Sequence, residues 1–214
     1  NTTGKPEVGI AEFIFPAASE NLIESKSLKL YLNSFNSSKF LSIDEVIKII
    51  TTDLSRSVKN DVLVKINDVN NYSERLHNFT GTCLDNIVIS CNDYQINQDY
   101  LFVEDTEIEE SLYSHLLKSN CPVTGQPDFA SIQINYIGKK INHEGLLKYI
   151  ISFRDHNEFH EQCIERIFSD IMHNCKPKKL AILGRYTRRG GLDINPFRST
   201  EPKFQATNKR LLRQ

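Results

Sequence analysis

The sequence predicts an α+β protein made of antiparallel sheets with helices packed on one face. Three observations carry this: runs that alternate apolar and polar residues or are rich in β-branched ones, amphipathic helical stretches between them, and recurrence of that order in the second half. Such runs place strands at about residues 8–15, 22–35, 62–68 and 87–90. Among them Ser42 to Glu45 reads as a capping box, followed by the helical stripe Ile43, Val46, Ile47, Ile50 and Leu54. After the acidic stretch VEDTEIEE, strands follow at about 110–118 and 131–137, helices at about 143–154 and 157–173, and strands at about 179–187 and 192–195. Two related units are expected, 1–105 and 106–200, with a basic tail over 201–214. The order is not the strict βαβα of a parallel sheet and no GxGxxG follows a strand. Any nucleotide is therefore bound outside a Rossmann fold.

Within 22–35, a period of two puts Leu22, Glu24, Lys26, Leu28, Leu30 and Leu32 on one face. Leu28, Leu30 and Leu32 define its core side. Glu24 and Lys26 then fall where that face runs out, either at the rim of a pocket or subunit contact or as charges guarding an edge strand.

The 214 residues are enough to bury a core, and 39% hydrophobic and 25% charged residues with a net charge of -1 are ordinary for a globular protein. Overall charge names no partner. No apolar run approaches the roughly 20 residues of a membrane span, and the first residues lack a signal-peptide pattern, so a cytoplasmic protein is expected. The chain starts without Met and enters a strand at once, so a further N-terminal segment is expected. Five cysteines, odd in number and without CxxC, read as thiols rather than a disulfide framework.

In KSNCPVTGQPDFAS, Pro122, Gly125 and Pro127 hold Cys121 on a stiff loop between two strands. Asp128 lies seven residues on, and a folded-back loop brings a carboxylate to a thiol, a pairing that can generate a thiolate and return its proton. A buried structural cysteine and a turn-forming Asp fit the same segment. On the helix that follows FRDHN, the apolar stripe runs Phe159, Cys163, Ile164, Ile167, Phe168, Ile171 and Met172. Helical geometry turns Glu161 toward it and leaves Glu158, Glu165 and Asp170 more easily in solvent. An inward carboxylate needs a partner: a neighbouring cation, or a ligand with adjacent N–H donors such as a guanine edge. His156, His160 and Cys163, at i, i+4 and i+7, form a rival zinc-ligand set matching no known signature. In the tail, RYTRRGGLD carries paired arginines beside two glycines, a phosphate site or a solvated loop. The basic run Arg185, Arg188, Arg189, Arg198, Lys203, Lys209, Arg210 and Arg213 faces only Asp193 and Glu201, and its last dozen residues read as a solvated terminus.

Taken together, ESKSLKLY, NCPVTGQPD, FHE and RYTRRGGLDINPFRS, in this order, resemble the NADPH-dependent 7-cyano-7-deazaguanine reductases of queuosine biosynthesis. The resemblance spans nearly the whole chain and implies tandem tunnelling-fold repeats of the long type, related to GTP cyclohydrolase I. It implies that Cys121 attacks the nitrile to give a thioimidate and that Asp128 shuttles protons. It implies further that His160 and Glu161, with Ile23, Glu24 and Ser25, bind the substrate, and that Ser25, Lys26, Arg189 and Gly190 line the NADPH site. No metal is implied, and a homodimer acting on the free base, without nucleic acid, is expected. Two alternatives remain at this point: a zinc-dependent tunnelling-fold cyclohydrolase acting on a purine or pterin, and a tRNA-binding module using the basic tail.

Overall fold

Residues Ser42 and Glu45 do start a helix. In the computed structural model, which describes residues 1–70, 75–202, 204 and 206–214, the Ser42 hydroxyl accepts from the Glu45 amide at 3.2 Å and the Glu45 carboxylate accepts from the Leu41 amide at 2.7 Å. Lys203 lies outside the described residues. The chain forms two compact units, Asn1–Glu74 and Arg75–Gln214. In the first, strand β1 (Gly9–Ile14) pairs antiparallel with β2 (Leu63–Asp68), and two helices, α1 (Ser25–Ser34) and α2 (Ile43–Val58), lie between them in sequence. Ile50, Leu54 and Val58 recur at helical spacing and are buried, as are Val62 and Val64.

The strand expected over 22–35 is helix α1. The Glu24 carboxylate caps it, accepting from the amides of Lys26 at 2.8 Å and Ser27 at 2.7 Å, and from the Ser27 hydroxyl. The sequence SLKLYL fits both a period of two and a helical stripe. The cap and the Tyr31 hydroxyl donating to Asp53 at 2.8 Å decide for the helix, so Leu28 is buried while Leu30 turns outward.

The second unit is a five-stranded sheet, in the order β3 (Thr82–Cys83), β4 (Val103–Asn120), β5 (Pro127–Ile141), β6 (Lys179–Tyr186) and β7 (Phe197–Ser199). All neighbours are antiparallel except β3 and β4, which run parallel, so the all-antiparallel sheet expected is mixed. VEDTEIEE is the first part of β4 and no boundary, which places residue 105 inside a strand. Its acids meet lysines: Glu104 pairs with Lys140 at 2.9 Å, Asp105 with Lys139 at 2.6 Å and Glu107 with Lys178 at 2.8 Å. No strand forms at 87–90, because the Asp85 carboxylate takes the His115 amide at 2.9 Å and the Ser114 hydroxyl at 2.6 Å, ending β3 in a 3₁₀ turn. Residues 192–195 are likewise not a strand. Leu192 makes one bridge to Arg189, and β7 follows later.

Helices α3 (His143–Ile151) and α4 (His160–Cys175) supply Leu146, Leu147, Ile150, Ile164, Ile167 and Ile171 to a core shared with Ala130, Ile132 and Ile134 of β5. Asp128 shares the parity of those β5 residues, which aims it toward the core side near α4. Contrary to expectation, Asp170 is buried, accepting from Tyr149 at 2.6 Å and Gln98 at 2.8 Å, and Glu158 is largely covered beneath Arg166 and His156. Helix α4 lies close on β6 at Gly184, where an added Cβ would sit 2.7 Å from Ile164 Cδ1. Gly184→Val is expected to cost about 1–3 kcal/mol by forced repacking, read as an earlier urea midpoint.

The terminal residues fold back instead of remaining solvated. Leu211 and Gln214 are buried, and the Gln214 amide donates to the Tyr186 carbonyl at 3.1 Å and to Asn195 Oδ1 at 2.7 Å. Arg185 reaches Asn208 at 2.6 Å and the Thr207 carbonyl, and Arg213 reaches the His115 carbonyl. Among the described residues no helix is long and apolar enough to cross a membrane.

Candidate functional site

Cys121 opens the tight connection between β4 and β5. The hairpin register pairs Asn120 with Pro127 and Ser119 with Asp128, so pairing itself brings Asp128 back to the loop base. Gly125, at φ 68°, allows its amide to reach the Cys121 carbonyl at 2.9 Å, and the Cys121 amide reaches the Gln126 carbonyl at 2.8 Å. The sulfur sits at the mouth of this turn. Burial pushes the thiol up, but the Thr124 hydroxyl, the Thr124 and Val123 amides and the Arg189 guanidinium act on it together and hold it below the ordinary thiol value. The other two buried thiols go the opposite way: burial pushes Cys163 up to about 12 and Cys175 up to about 11. Of the three, Cys121 alone is shifted toward easier ionisation.

Asp128, buried at the start of β5, lies between an imidazole and a guanidinium. Its Oδ2 is 3.0 Å from His160 Nε2 and its Oδ1 is 3.3 Å from Arg189 Nη1. The His160 contact has ion-pair distance but not hydrogen-bond alignment, and neither ring nitrogen has an aligned hydrogen-bond partner among the described residues. His160 is fixed from its flat side, stacked on Tyr186 with centroids 3.9 Å apart and planes within 10°. The approach to α4 is tied to the end of β4, with the Asn120 amide donating to the His156 carbonyl at 2.8 Å and the Glu158 amide to the Asn120 carbonyl at 3.1 Å. These bonds set the start of α4 beside Cys121.

Glu161, next on α4, is half-buried. Burial raises its carboxyl above the usual range, while its own backbone amide, His160 and Arg198 pull the other way. A carboxyl raised on folding is penalised once ionised. The penalty is absent below the ordinary carboxylate pKa and develops as pH rises through the elevated one. Glu161→Gln is therefore expected to stabilise the free protein at neutral pH by about 0.5–2 kcal/mol, a gain that disappears in urea melts at acidic pH.

Arg189 reaches this cluster from a second tight turn. Arg189 and Leu192 bridge antiparallel around Gly190 (φ 60°) and Gly191 (φ 84°), the two positive-φ positions of a type I′ hairpin. Arg189 Nη1 donates to Gln126 Oε1 at 3.1 Å, and Arg188 Nη2 to Asp193 Oδ1 at 3.0 Å. The site thus joins Cys121, Asp128, His160 and Arg189, with Glu161 beside them in sequence. Ile23, Glu24, Ser25 and Lys26 belong to the first unit, at the start of α1, where Lys26 is exposed and both Glu24 oxygens serve the cap.

The zinc-ligand set does not assemble. His156 lies before α4 and pairs with Glu158 at 3.0 Å, His160 faces Asp128, and Cys163 is wholly buried. Among the described residues no group of three His, Cys, Asp or Glu side chains is placed to hold a metal.

Comparison with known proteins identifies the family. Residues 127–204 match the family described as QueF-like protein, and residues 1–66 match the nitrile reductase, 7-cyano-7-deazaguanine-reductase N-terminal family. The chain is 54% identical over 217 residues to the NADPH-dependent 7-cyano-7-deazaguanine reductase of Legionella pneumophila (strain Paris), covering 100% of this chain and 76% of that protein. It is 55% identical over 216 residues to the protein of the same name from Hydrogenovibrio crunogenus (strain DSM 25203 / XCL-2), covering 100% and 77%. The chain belongs to the NADPH-dependent 7-cyano-7-deazaguanine reductase family. Among solved structures, the archaeosine synthase QueF-Like in the apo form aligns with a TM-score of 0.39 at 15% identity, over 45% of this chain and 94% of that one.

In this member of the reductase family, sequence reasoning missed three contributors. Tyr186, wholly buried, supplies the platform under His160. Its hydroxyl lies with the Ser119 hydroxyl and the Cys163 thiol, in contacts looser than a normal hydrogen bond. Thr124 supplies both its hydroxyl and its amide to Cys121. Gln126 anchors Arg189. Thr124 and Gln126 lie inside the quoted loop and were legible as turn residues. Tyr186 had no local signal, because it meets His160 only where β6 packs against α4.

Proposed function

We propose that this chain reduces the nitrile of 7-cyano-7-deazaguanine to the 7-aminomethyl compound at the expense of NADPH. Family membership supports the activity. The observation that carries the site is a cysteine held toward its thiolate beside a buried Asp128 flanked by His160 and Arg189. The Cys121 thiol gives its proton to Asp128. Sulfur then adds to the nitrile carbon as the C≡N bond becomes C=N, and Asp128 returns the proton to nitrogen, leaving a covalent thioimidate. For each later protonation of nitrogen Asp128 takes up a proton from solvent and passes it on, two protons in all, and Cys121 leaves as thiolate when the tetrahedral carbon collapses to the imine. NADPH, when bound, supplies two hydrides, one while carbon is bonded to sulfur and one after sulfur has left, four electrons in all.

His160 and Glu161 hold the deazaguanine edge. The Glu161 carboxylate, penalised in the free protein, gains two N–H donors when the base arrives. The arginine hairpin fits an anionic cofactor, since Gly191 has open space where a side chain would stand and Arg188 and Arg189 flank the turn. Arg189 and Gly190, with Ser25 and Lys26 of the first unit, are the proposed NADPH ligands. Ile23, Glu24 and Ser25 are proposed for the substrate pocket. Tandem tunnelling-fold repeats are proposed with the division moved ahead of β4, which a boundary at 105 would cut; the two compact units, Asn1–Glu74 and Arg75–Gln214, support that division. A cytoplasmic homodimer acting on the free base completes the proposal. Its independence of nucleic acid is supported by the tail, where Arg185 and Arg213 are engaged by the protein's own carbonyls.

The deciding experiment mixes protein, NADPH and the nitrile and follows loss of reduced-nicotinamide absorbance. Two NADPH oxidised per aminomethyl product is the expected result, unaffected by a chelator. No oxidation by folded protein overturns the assignment, and activity that ignores NADPH but is lost to the chelator would instead support the cyclohydrolase.

A further inference from the structure

Arg189 occupies a position that cofactor binding alone does not require. It leaves the exposed glycine hairpin, crosses to the Cys121–Gln126 turn, and places one nitrogen 3.1 Å from Gln126 Oε1 and 3.3 Å from Asp128 Oδ1. Gln126 is the residue whose carbonyl closes the turn on the Cys121 amide at 2.8 Å, so the guanidinium is braced on the loop that carries the nucleophile. A planar guanidinium has five N–H donors, and two contacts through Nη1 leave others to face the sulfur. The elements around Cys121 bring charge of both signs: Asp128 on β5, Glu158 and Glu161 with His156 and His160 around the start of α4, and Arg189 on the hairpin. Three of these are carboxylates, which oppose a second anion nearby, and Arg189 is the permanent cation, braced on the turn that Cys121 opens.

We propose that Arg189 is a catalytic residue of adduct formation, holding Cys121 as the thiolate before any cofactor is present, in addition to its place in the NADPH site. This rests on the reductase reading and adds a second use for a residue that reading gives to the cofactor. One side chain then links the two halves of the reaction. The thiol proton leaves for Asp128, the negative charge on sulfur is met by Arg189, and that charge is lost as the S–C bond forms, freeing the guanidinium for an anionic cofactor group.

The test uses the full chain without nitrile or NADPH. The rate of iodoacetamide alkylation at Cys121 is measured against pH by peptide mass mapping, which separates this thiol from the other four. Arg189→Gln is expected to move the midpoint upward by about one pH unit, slowing alkylation about tenfold below it, while Arg189→Lys falls between the variant and the parent. Thermal melts report whether each variant is folded, and if the glutamine variant is not, the lysine variant decides on the same criterion. Profiles that superimpose on the parent, with only the KM for NADPH raised, overturn the proposal and leave Arg189 to the cofactor. A parent protein that oxidises no NADPH with the nitrile overturns the reductase reading itself, and the catalytic role with it.

Discussion

Cys121→Ala is expected to abolish the covalent adduct with the nitrile and to lower kcat by on the order of 10³-fold or more, the scale seen when a catalytic nucleophile is removed. The loss follows from the chemistry, because the nitrile carbon becomes a good hydride acceptor only after sulfur has joined it. Folding should survive. The side chain sits at the mouth of a turn closed by backbone bonds from Gly125 and to Gln126, and alanine leaves these intact. Intact-mass measurement with nitrile alone shows the adduct in the parent and none in the variant. An adduct of unchanged yield in Cys121→Ala would move the nucleophile to another residue.

Asp128→Asn is expected to reduce kcat by about 10²–10⁴-fold, the usual worth of a positioned proton carrier. Asparagine keeps the shape of the group between His160 and Arg189 but cannot take the thiol proton or return it to nitrogen. Adduct formation should slow in single-turnover mass measurements, whereas substrate KM changes little because the deazaguanine edge is held elsewhere. A variant whose adduct forms at the parental rate would show that protons pass by another route. The same substitution also removes the carboxylate partner of Arg189, so a modest drop in thermal midpoint accompanies the kinetic loss.

Much of the second unit was legible because its signals are local. Pro122, Gly125 and Pro127 marked the loop of Cys121, the FHE segment marked an inward carboxylate at Glu161, and the paired glycines marked the arginine turn. What failed depended on contacts that residue spacing alone does not show, most of them with partners distant in sequence. The 22–35 segment alternates well enough for a strand, yet the Glu24 carboxylate finds two helix amides and Tyr31 finds Asp53, contacts that periodicity does not register. VEDTEIEE read as the stretch after which the order of elements recurs, yet it opens β4, and its acids meet lysines that lie on β5 or in the Lys178 turn. Asp170 read as solvent-facing because Tyr149 and Gln98 come from other elements.

The β4–β5 hairpin has a consequence for how this site tolerates change. Cys121 and Asp128 hang on opposite legs of one connection, and their alignment follows from the pairing of Ser119 with Asp128. Substitutions within the connection alter its chemistry while leaving the legs in place. A single inserted or deleted residue acts differently, because a one-step slip of β5 would turn Asp128 to the outer face and Ala130, Ile132 and Ile134 with it. The length of that short connection, more than its composition, is therefore the frame that keeps the Asp128 carboxyl and the Cys121 thiol in phase, and a core of branched side chains enforces it.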